Sequence, residues 1–137
     1  MESTEKLTRV VTSATTLFIV PGYAETKMVD IASHANLAVG TLYHLFKSKD
    51  DLLKFVFAST LDPTISDQIQ TFPVQPVPDD ELVTRTAKVY QQATANLHSI
   101  VAQYPADARF AAILAYLFKN FHQYGAYFLM LERNPHL

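Results

Sequence analysis

The sequence contains no cysteine, which excludes disulfide bonds, thiolate metal ligands and cysteine nucleophiles. Only three of its 137 residues are glycine and none is tryptophan, which suits an all-helical protein with few tight turns. No apolar run reaches the roughly 20 residues that a membrane-spanning helix needs. Met1-Glu2-Ser3-Thr4-Glu5 lacks the features of a signal peptide. We therefore expect a soluble, cytoplasmic protein that does not contact a membrane.

Residues suited to catalysis or metal binding form no recognisable set. His98 and His122 have no partnering carboxylate at helical spacing, and the metal-binding patterns HxxxH and HExxH are absent. A lone histidine on a helix is usually structural. We expect a protein that is not an enzyme and that uses no metal and no cofactor.

Charge is also scarce, because charged residues make up only 18% of the chain and the formal net charge is −2. The first sixty residues contain six lysine or arginine and six aspartate or glutamate residues, so this part is formally neutral. Any affinity for nucleic acid would therefore depend on where individual lysines lie. The acidic remainder argues against a non-specific DNA coat.

The stretch from Thr26 to Leu53 has the periodicity of three short helices separated by tight turns. The first spans about Met28–His34, after Thr26 or Lys27, and the second about Ala38–Phe46. Asn36 lies between them and tolerates the left-handed conformation that such a turn needs. The third helix opens at Ser48-Lys49-Asp50-Asp51, a capping box in which the first and last side chains each bond the other's backbone.

The second of these helices has one apolar side and one polar side at about 100° per residue. Leu42, Leu45 and Phe46 form the apolar side. The opposite side consists of Val39, Gly40, Tyr43, His44 and Lys47, with Thr41 on a flank. This arrangement is typical of a helix-turn-helix motif, whose second helix enters the DNA major groove. An ordinary three-helix corner with solvated polar residues fits the periodicity equally well.

A longer series of elements distinguishes these alternatives. In order, the sequence contains Leu17-Phe18, Gly22-Tyr23, Thr26, Asp30-Ile31-Ala32, Gly40-Thr41-Leu42-Tyr43-His44-Leu45-Phe46 and Lys49-Asp50-Asp51-Leu52. Residues 7 to 55 thereby resemble the N-terminal DNA-binding region of the TetR family of bacterial transcriptional regulators. The resemblance implies an all-α fold. A three-helix helix-turn-helix domain over residues 1–50 would join a helical ligand-sensing and dimerisation domain over residues 51–137.

The resemblance also implies which residues contact DNA, because the family uses the starts of its second and fourth helices and its recognition helix. The matching positions are Thr26, Lys27, Gly40, Thr41, Tyr43, His44 and Lys49. Two positions depart from relatives, which often have Ser-Lys where this chain has Ala38-Val39. Ala38 cannot cap the recognition helix, a loss of about 1 kcal/mol. Val39 removes a positive charge and could contact a thymine methyl group instead.

The rest of the chain is predicted from periodicity and from its prolines. A first amphipathic helix spans Glu5–Val20, and Asp62-Pro63 stops or kinks the helix that follows the helix-turn-helix. The proline-rich connector Phe72–Pro78 is not helical. A long helix from Asp79 to Tyr104 carries one continuous apolar stripe. Pro105 starts the next helix.

This last long helix is predicted to bend near Gly125. Its core side consists of Phe110, Ile113, Leu114, Leu117, Phe118 and Phe121. The segment Ala126–Leu131 is apolar on nearly all sides and needs a cover that we do not expect this chain to provide. The family's last two long helices, which form its dimer bundle, have no counterpart here, so we expect the second domain to be incomplete.

Aromatic residues crowd the last third of the chain, where the resemblance implies an apolar inducer pocket with a few polar groups. The candidates to line it are Tyr90, Tyr116, His122 and Tyr127. The core of a helix bundle is the alternative for this cluster, and for its phenylalanines it is the better one.

The resemblance thus implies a transcriptional repressor that binds a near-palindromic double-stranded DNA operator as a homodimer. A small apolar or aromatic ligand would release it. The alternative is a DNA-binding adaptor or helical interaction module with no small-molecule inducer.

Overall fold

A computed structural model describes residues 2–136, which form six α-helices and no β-strand. The helices are α1 (Glu2–Leu17), α2 (Met28–His34), α3 (Val39–Leu45), α4 (Lys49–Leu61), α5 (Asp79–Gln103) and α6 (Ala106–Arg133). The predicted all-α class is confirmed. Met1 and Leu137, the outer limits of the two predicted domains, lie outside the described residues. The domain boundary at residue 50 stays a prediction.

Helices α1 to α4 enclose the main hydrophobic core. Leu7, Val10 and Ala14 recur at helical spacing on α1 and are buried there. Most side chains of this core are aliphatic, and Phe46 and Phe55 pack within it with ring centroids 5.5 Å apart. Burying such large apolar side chains is the main term that stabilises this unit.

The connection from α1 to α2 turns sharply over Phe18–Gly22. The first helix therefore ends at Leu17, three residues before the predicted Val20. Val20 is extended (φ −142°, ψ 111°) because a residue that precedes a proline disfavours the helical region. Gly22 has φ +122°, a conformation that L side chains rarely adopt.

The turn between α2 and α3 is built as the sequence predicts. Asn36 is left-handed with φ 55°, and the Leu37 amide donates to the Ala32 carbonyl at 2.8 Å. The Arg9 guanidinium of α1 donates to the carbonyls of Ala35 (2.7 Å) and Asn36 (3.0 Å). The first helix thereby fixes the turn that sets the angle between α2 and α3.

Only half of the predicted capping box at α4 is formed. The Ser48 hydroxyl accepts the Asp51 amide at 3.1 Å, but the reciprocal bond from the Ser48 amide to the Asp51 carboxylate is not formed. The other half of such a box occurs at α2, where the Lys27 amide donates to the Asp30 carboxylate at 2.8 Å. Helix α4 ends at Leu61, directly before Asp62-Pro63, as predicted.

The proline-rich connector is not helical, as predicted, but it is not a free spacer. The Val74 amide donates to the carbonyl of Leu45, the last residue of α3, at 2.8 Å. Val74 and Val77 are both buried in the main core. The connector is thereby fixed to the end of the helix-turn-helix.

Helices α5 and α6 form a hairpin that leaves much of its apolar surface in solvent. No α5 side chain is buried within the described chain. The prediction that Phe110, Phe118 and Phe121 face a core is wrong, since they are 72%, 70% and 61% exposed. Leu114 and Leu117 are exposed as well, and only Ile113 of that set is half-buried. Helical periodicity identifies an apolar side but not what covers it, and here α5 covers only the opposite side of α6.

The C-terminal end of α6 is bent and more deeply buried than its N-terminal part. Tyr124 leaves helical geometry (φ −112°, ψ 18°), which confirms the bend predicted near Gly125. Beyond the bend, Tyr127 and Met130 are buried, so the expectation that Ala126–Leu131 lacks any cover is wrong for these residues. Their cover is α4 together with the Phe18–Gly22 turn, against which α6 packs.

No helix within residues 2–136 combines the length and apolarity that a bilayer crossing demands.

Candidate DNA-binding surface and ligand cleft

Helix α3 has a buried back and an exposed front, as its sequence predicts. Leu42 and Leu45 are 0% and 2% exposed, whereas Tyr43 is 50% exposed. The exposed front consists of Val39, Gly40, Tyr43 and His44, followed by Lys47, and Thr41 on the flank is half-buried. Ala38 precedes the helix in extended geometry and offers no side-chain cap. The helix is therefore held by its neighbours and presents one side to solvent.

Gly40 lies where the fold does not require a glycine. A Cβ atom built there would meet no protein atom within 4 Å, and the residue is helical rather than left-handed. Packing therefore does not explain the absence of a side chain at this exposed position. A close approach by something outside the chain would explain it.

Thr26 is located inside the protein, where its side chain is 1% exposed. Its hydroxyl lies 2.7 Å from the Gly22 carbonyl and 3.1 Å from the Leu17 carbonyl. Its amide donates to the Tyr23 carbonyl at 3.3 Å. Both polar groups that the family resemblance would offer to a phosphate are therefore engaged within the fold. The role of Thr26 here is to close the connection between α1 and α2.

Lys27 and Lys49, the two predicted phosphate partners, occupy different environments. Lys27 is exposed directly before α2, and its side chain makes no ion pair within residues 2–136. The Lys49 ammonium instead donates to the carbonyls of Tyr23 (2.9 Å) and Thr26 (3.1 Å). It also lies 4.0 Å from the centroid of the Tyr23 ring, a cation–π distance. Lys49 therefore ties the start of α4 to the turn before α2.

A cleft of about 620 Å³ lies between α4 and α5. Its walls are apolar, with Leu53 and Phe57 on α4 and Leu82, Val83, Thr86, Ala87 and Tyr90 on α5. At its rim, the Lys54 ammonium lies 2.9 Å from Asp79 and 3.4 Å from Asp50. The hydrogen bond to Asp79, followed by the charge of Asp50, raises the pKa of Lys54 above its ordinary value.

The four predicted pocket residues do not form one site. Tyr90 lines the cleft, whereas Tyr127 does not line it but packs against Phe57 of its wall, with ring centroids 5.4 Å apart. Tyr116 lines a separate cavity of about 190 Å³, and its hydroxyl donates to the Ala93 carbonyl at 3.0 Å. His122 is exposed and lines neither cavity.

Two further residues hold the DNA-binding unit together and were not found from the sequence. Arg9 bonds the turn before α3, and the Asn134 carboxamide bonds the turn before α2. Each bond joins residues 26 or more positions apart, so no local spacing signals it.

These features define a helix-turn-helix protein. A three-helix unit (α1 to α3) exposes one side of α3, and a hairpin of α5 and α6 follows it in the chain. Residues 10–56 match the sequence model of the family described as "Bacterial regulatory proteins, tetR family". Over this region, the chain is similar to the TetR family.

A curated relative supports the same assignment. The chain is 34% identical over 58 residues to the "HTH-type transcriptional regulator HbdR" of Aromatoleum sp. (strain CIB). The match covers 42% of this chain and only 25% of that relative. No solved structure matches the chain.

Proposed function

We propose that the protein is a transcriptional repressor that binds a near-palindromic double-stranded DNA operator as a homodimer. The observation that supports this most strongly is the exposed front of α3 on a fully buried back. In helix-turn-helix proteins, a helix presented in this way enters the major groove and contacts base edges. The match over residues 10–56 and the printed name of the relative both support DNA-binding regulation.

The proposed contacts divide into two kinds. Val39, Thr41 and His44 would contact base edges or the thymine methyl group, while Tyr43 offers its phenol to a phosphate oxygen. Gly40 would allow the backbone of α3 to approach DNA, because no side chain intervenes. Exposed Lys27 is the proposed phosphate partner. Thr26 and Lys49 would act by positioning, because their polar groups are engaged within the fold.

Dimerisation is proposed through the exposed apolar side of the α5–α6 hairpin. Phe110, Phe118 and Phe121 all expose most of their surface there. An apolar surface of this kind on a soluble protein marks an interaction site. A two-fold dimer would place two copies of α3 in successive major grooves of a near-palindromic operator.

The proposed inducer is a small apolar or aromatic molecule in the cleft between α4 and α5. The volume and apolar walls of the cleft suit such a ligand, with Tyr90 as a polar group at one side. Helix α4 forms one wall of the cleft and begins at the helix-turn-helix unit, so a ligand that moves α4 acts on that unit directly. Release of DNA requires the ligand to bind the two states with different affinity.

The same exposed hairpin supports a second candidate function, a DNA-binding adaptor without an inducer. In that case the apolar side of α5 and α6 would bind another protein rather than a second copy. A rise in melting temperature with small aromatic compounds would favour the regulator, and stable co-purification of a different chain would favour the adaptor.

The direct test is selection of bound duplexes from a random double-stranded DNA library by the full chain. We expect enrichment of one sequence whose two half-sites are related by near two-fold symmetry. Enrichment of a single half-site would contradict the homodimer but keep sequence-specific binding. A bound pool identical to the input would contradict the proposed function altogether. Tyr43→Ala serves as the matched variant, because this half-exposed residue lies outside the core.

A further inference from the structure

The end of α6 is bonded to the turn that precedes the helix-turn-helix. Asn134 follows the last residue of α6, and its side-chain oxygen accepts the Tyr23 amide at 2.8 Å. Its side-chain nitrogen donates to the Phe18 carbonyl at 2.7 Å. The same nitrogen donates to the Met130 carbonyl of α6 at 2.9 Å. One carboxamide therefore joins α6 to both sides of the Phe18–Gly22 turn.

Tyr23 continues this connection to α4. Its amide is bonded to Asn134, and its carbonyl accepts the Lys49 ammonium at 2.9 Å. Lys49 is the first residue of α4 and also bonds the Thr26 carbonyl, two residues before α2. The bonds thus run from the end of α6 through one residue to the starts of α4 and α2.

The local geometry suits a carboxamide at this position. Asn134 uses its oxygen as an acceptor and its nitrogen as a double donor, a combination that aspartate cannot supply when ionised. A Cβ atom on Gly22 would lie 3.1 Å from a Glu25 carboxylate oxygen and 3.5 Å from the Asn134 side-chain oxygen. The turn is therefore shaped closely around the Asn134 side chain.

The same face of α6 also contacts residues that line the cleft. Tyr127, Met130 and Asn134 are spaced at i, i+3 and i+7, so they share one face of the helix. Tyr127 hydrogen-bonds Tyr90, which lines the cleft, with 3.2 Å between the hydroxyl oxygens. Met130 is fully buried in the core that α1 to α4 share. A helical segment about 10 Å long therefore connects the cleft to the Tyr23 turn.

We propose that Asn134 is a positioning residue that couples the α5–α6 hairpin to the DNA-binding surface. A change in the position of α6 is transmitted by the carboxamide to Tyr23 and from Tyr23 to Lys49. Lys49 in turn fixes the starts of α2 and α4, and these two helices determine the orientation of α3. This inference rests on the proposed function, because its consequence is a change in DNA affinity. The coupling itself can be measured without DNA.

The test compares Asn134→Asp with Glu132→Gln in the full chain. Asn134→Asp keeps the shape but removes both donated hydrogen bonds, while Glu132→Gln makes the reverse exchange at an exposed position on the same helix end. Amide hydrogen exchange is measured in both variants without DNA, well below the melting temperature. In Asn134→Asp a carboxylate oxygen faces the Phe18 and Met130 carbonyls and is repelled by them, which weakens the remaining bond to the Tyr23 amide. We therefore expect faster exchange at Tyr23 and also at the first turns of α2 and α4, with wild-type rates in Glu132→Gln. Faster exchange confined to Tyr23 and the end of α6 would overturn the coupling.

The second arm measures affinity for the selected operator at a temperature where each variant is fully folded. We expect Asn134→Asp to bind about tenfold more weakly, with an unchanged dependence on salt because no phosphate contact is lost. Unchanged affinity in the folded variant would show that Asn134 only stabilises the fold. If the wild-type chain binds no operator, the proposed function fails, and the exchange measurement still decides whether Asn134 couples α6 to α2 and α4.

Discussion

The hydroxyl oxygens of Tyr90, which lines the apolar cleft, and Tyr127 lie 3.2 Å apart and join α5 to α6. The two tyrosines differ in exposure, since Tyr90 is 49% exposed and Tyr127 only 4%. Burial, followed by the hydrogen bond to Tyr90, raises the pKa of Tyr127 well above its ordinary value. One side of this pair therefore belongs to the cleft and the other to the packed interior.

We predict opposite outcomes for truncating the two residues. Tyr127→Ala should lower the free energy of unfolding by about 3–5 kcal/mol, because it leaves a cavity against Phe57 and Tyr90. Tyr90→Ala should cost far less stability and should weaken binding of small aromatic compounds in the cleft. Thermal melting with and without such compounds measures both effects. Equal losses of stability would show that Tyr90 is a core residue and not part of a ligand site.

The same pair predicts how stability depends on alkaline pH. The pKa of Tyr127 is raised in the folded state, so the folded protein holds the phenolic proton more tightly than the unfolded chain does. The protonated hydroxyl therefore makes its full contribution to the free energy of unfolding below the ordinary pKa of 10.0, and this contribution is lost as pH rises above that value. Tyr127→Phe should remove this part of the pH dependence. Denaturant melts between about pH 8 and 11 would check it. If the free energy of unfolding changed with pH in the same way in the wild type and in Tyr127→Phe, Tyr127 would not be the cause of the loss of stability at alkaline pH.

Glycine substitutions separate the DNA surface from the fold. Gly40→Ala and Gly125→Ala each place a Cβ where no protein atom lies within 4 Å, so each should leave stability equal or up to about 1 kcal/mol higher. Only Gly40→Ala should weaken operator binding, because only Gly40 lies on the front of α3. Melting temperature and operator affinity of both variants give the comparison. Full affinity in Gly40→Ala would remove the backbone of α3 from the DNA interface.

The lysines should differ in their effect on the salt dependence of binding. Lys27→Ala should weaken binding about equally on all sequences and reduce the salt slope by about 1, because it removes one phosphate contact. Lys49→Ala should lower stability, through the lost bonds to Tyr23 and Thr26, and leave the slope unchanged. Lys88→Ala, at an exposed position on α5, is the control. A reduced slope in Lys49→Ala would mean that its ammonium leaves the turn to bind phosphate.

The exposed side of α6 makes a separate prediction about assembly. Phe118, which is 70% exposed, should contact a second copy, so the wild type should self-associate. Phe118→Asp should shift the protein towards the monomer without lowering the stability of the main core. Sedimentation across a wide concentration range measures this. A wild-type monomer at all concentrations would contradict a dimer through this surface.

Rules that use only neighbouring residues in the sequence predicted the positions of the helices well. Contacts between residues far apart in the sequence explain where the predictions and the structure differ. The boundaries of α2, α3 and α4 follow from a few nearby residues, namely the left-handed Asn36, the Ser48 cap and the proline after Asp62. The prediction for Phe110 and its neighbours was wrong because an apolar stripe does not specify which element covers it. Lys49 was predicted as a phosphate partner from its position in a motif, whereas its bond to Tyr23 depends on a contact 26 residues away. The role of Asn134 depends on a contact 111 residues away.

The most direct test of the central claim is to repeat the DNA selection with His44→Ala, which changes only an exposed side chain on the front of α3. If His44 contacts a base edge, we expect the enriched operator to keep its symmetry and lose its preference at one base pair in each half-site, by about 1–3 kcal/mol. Lys27→Ala, tested beside it, should lower affinity without changing the enriched sequence. An enriched sequence identical in wild type, His44→Ala and a Val39→Ala variant would contradict the claim that α3 recognises the operator.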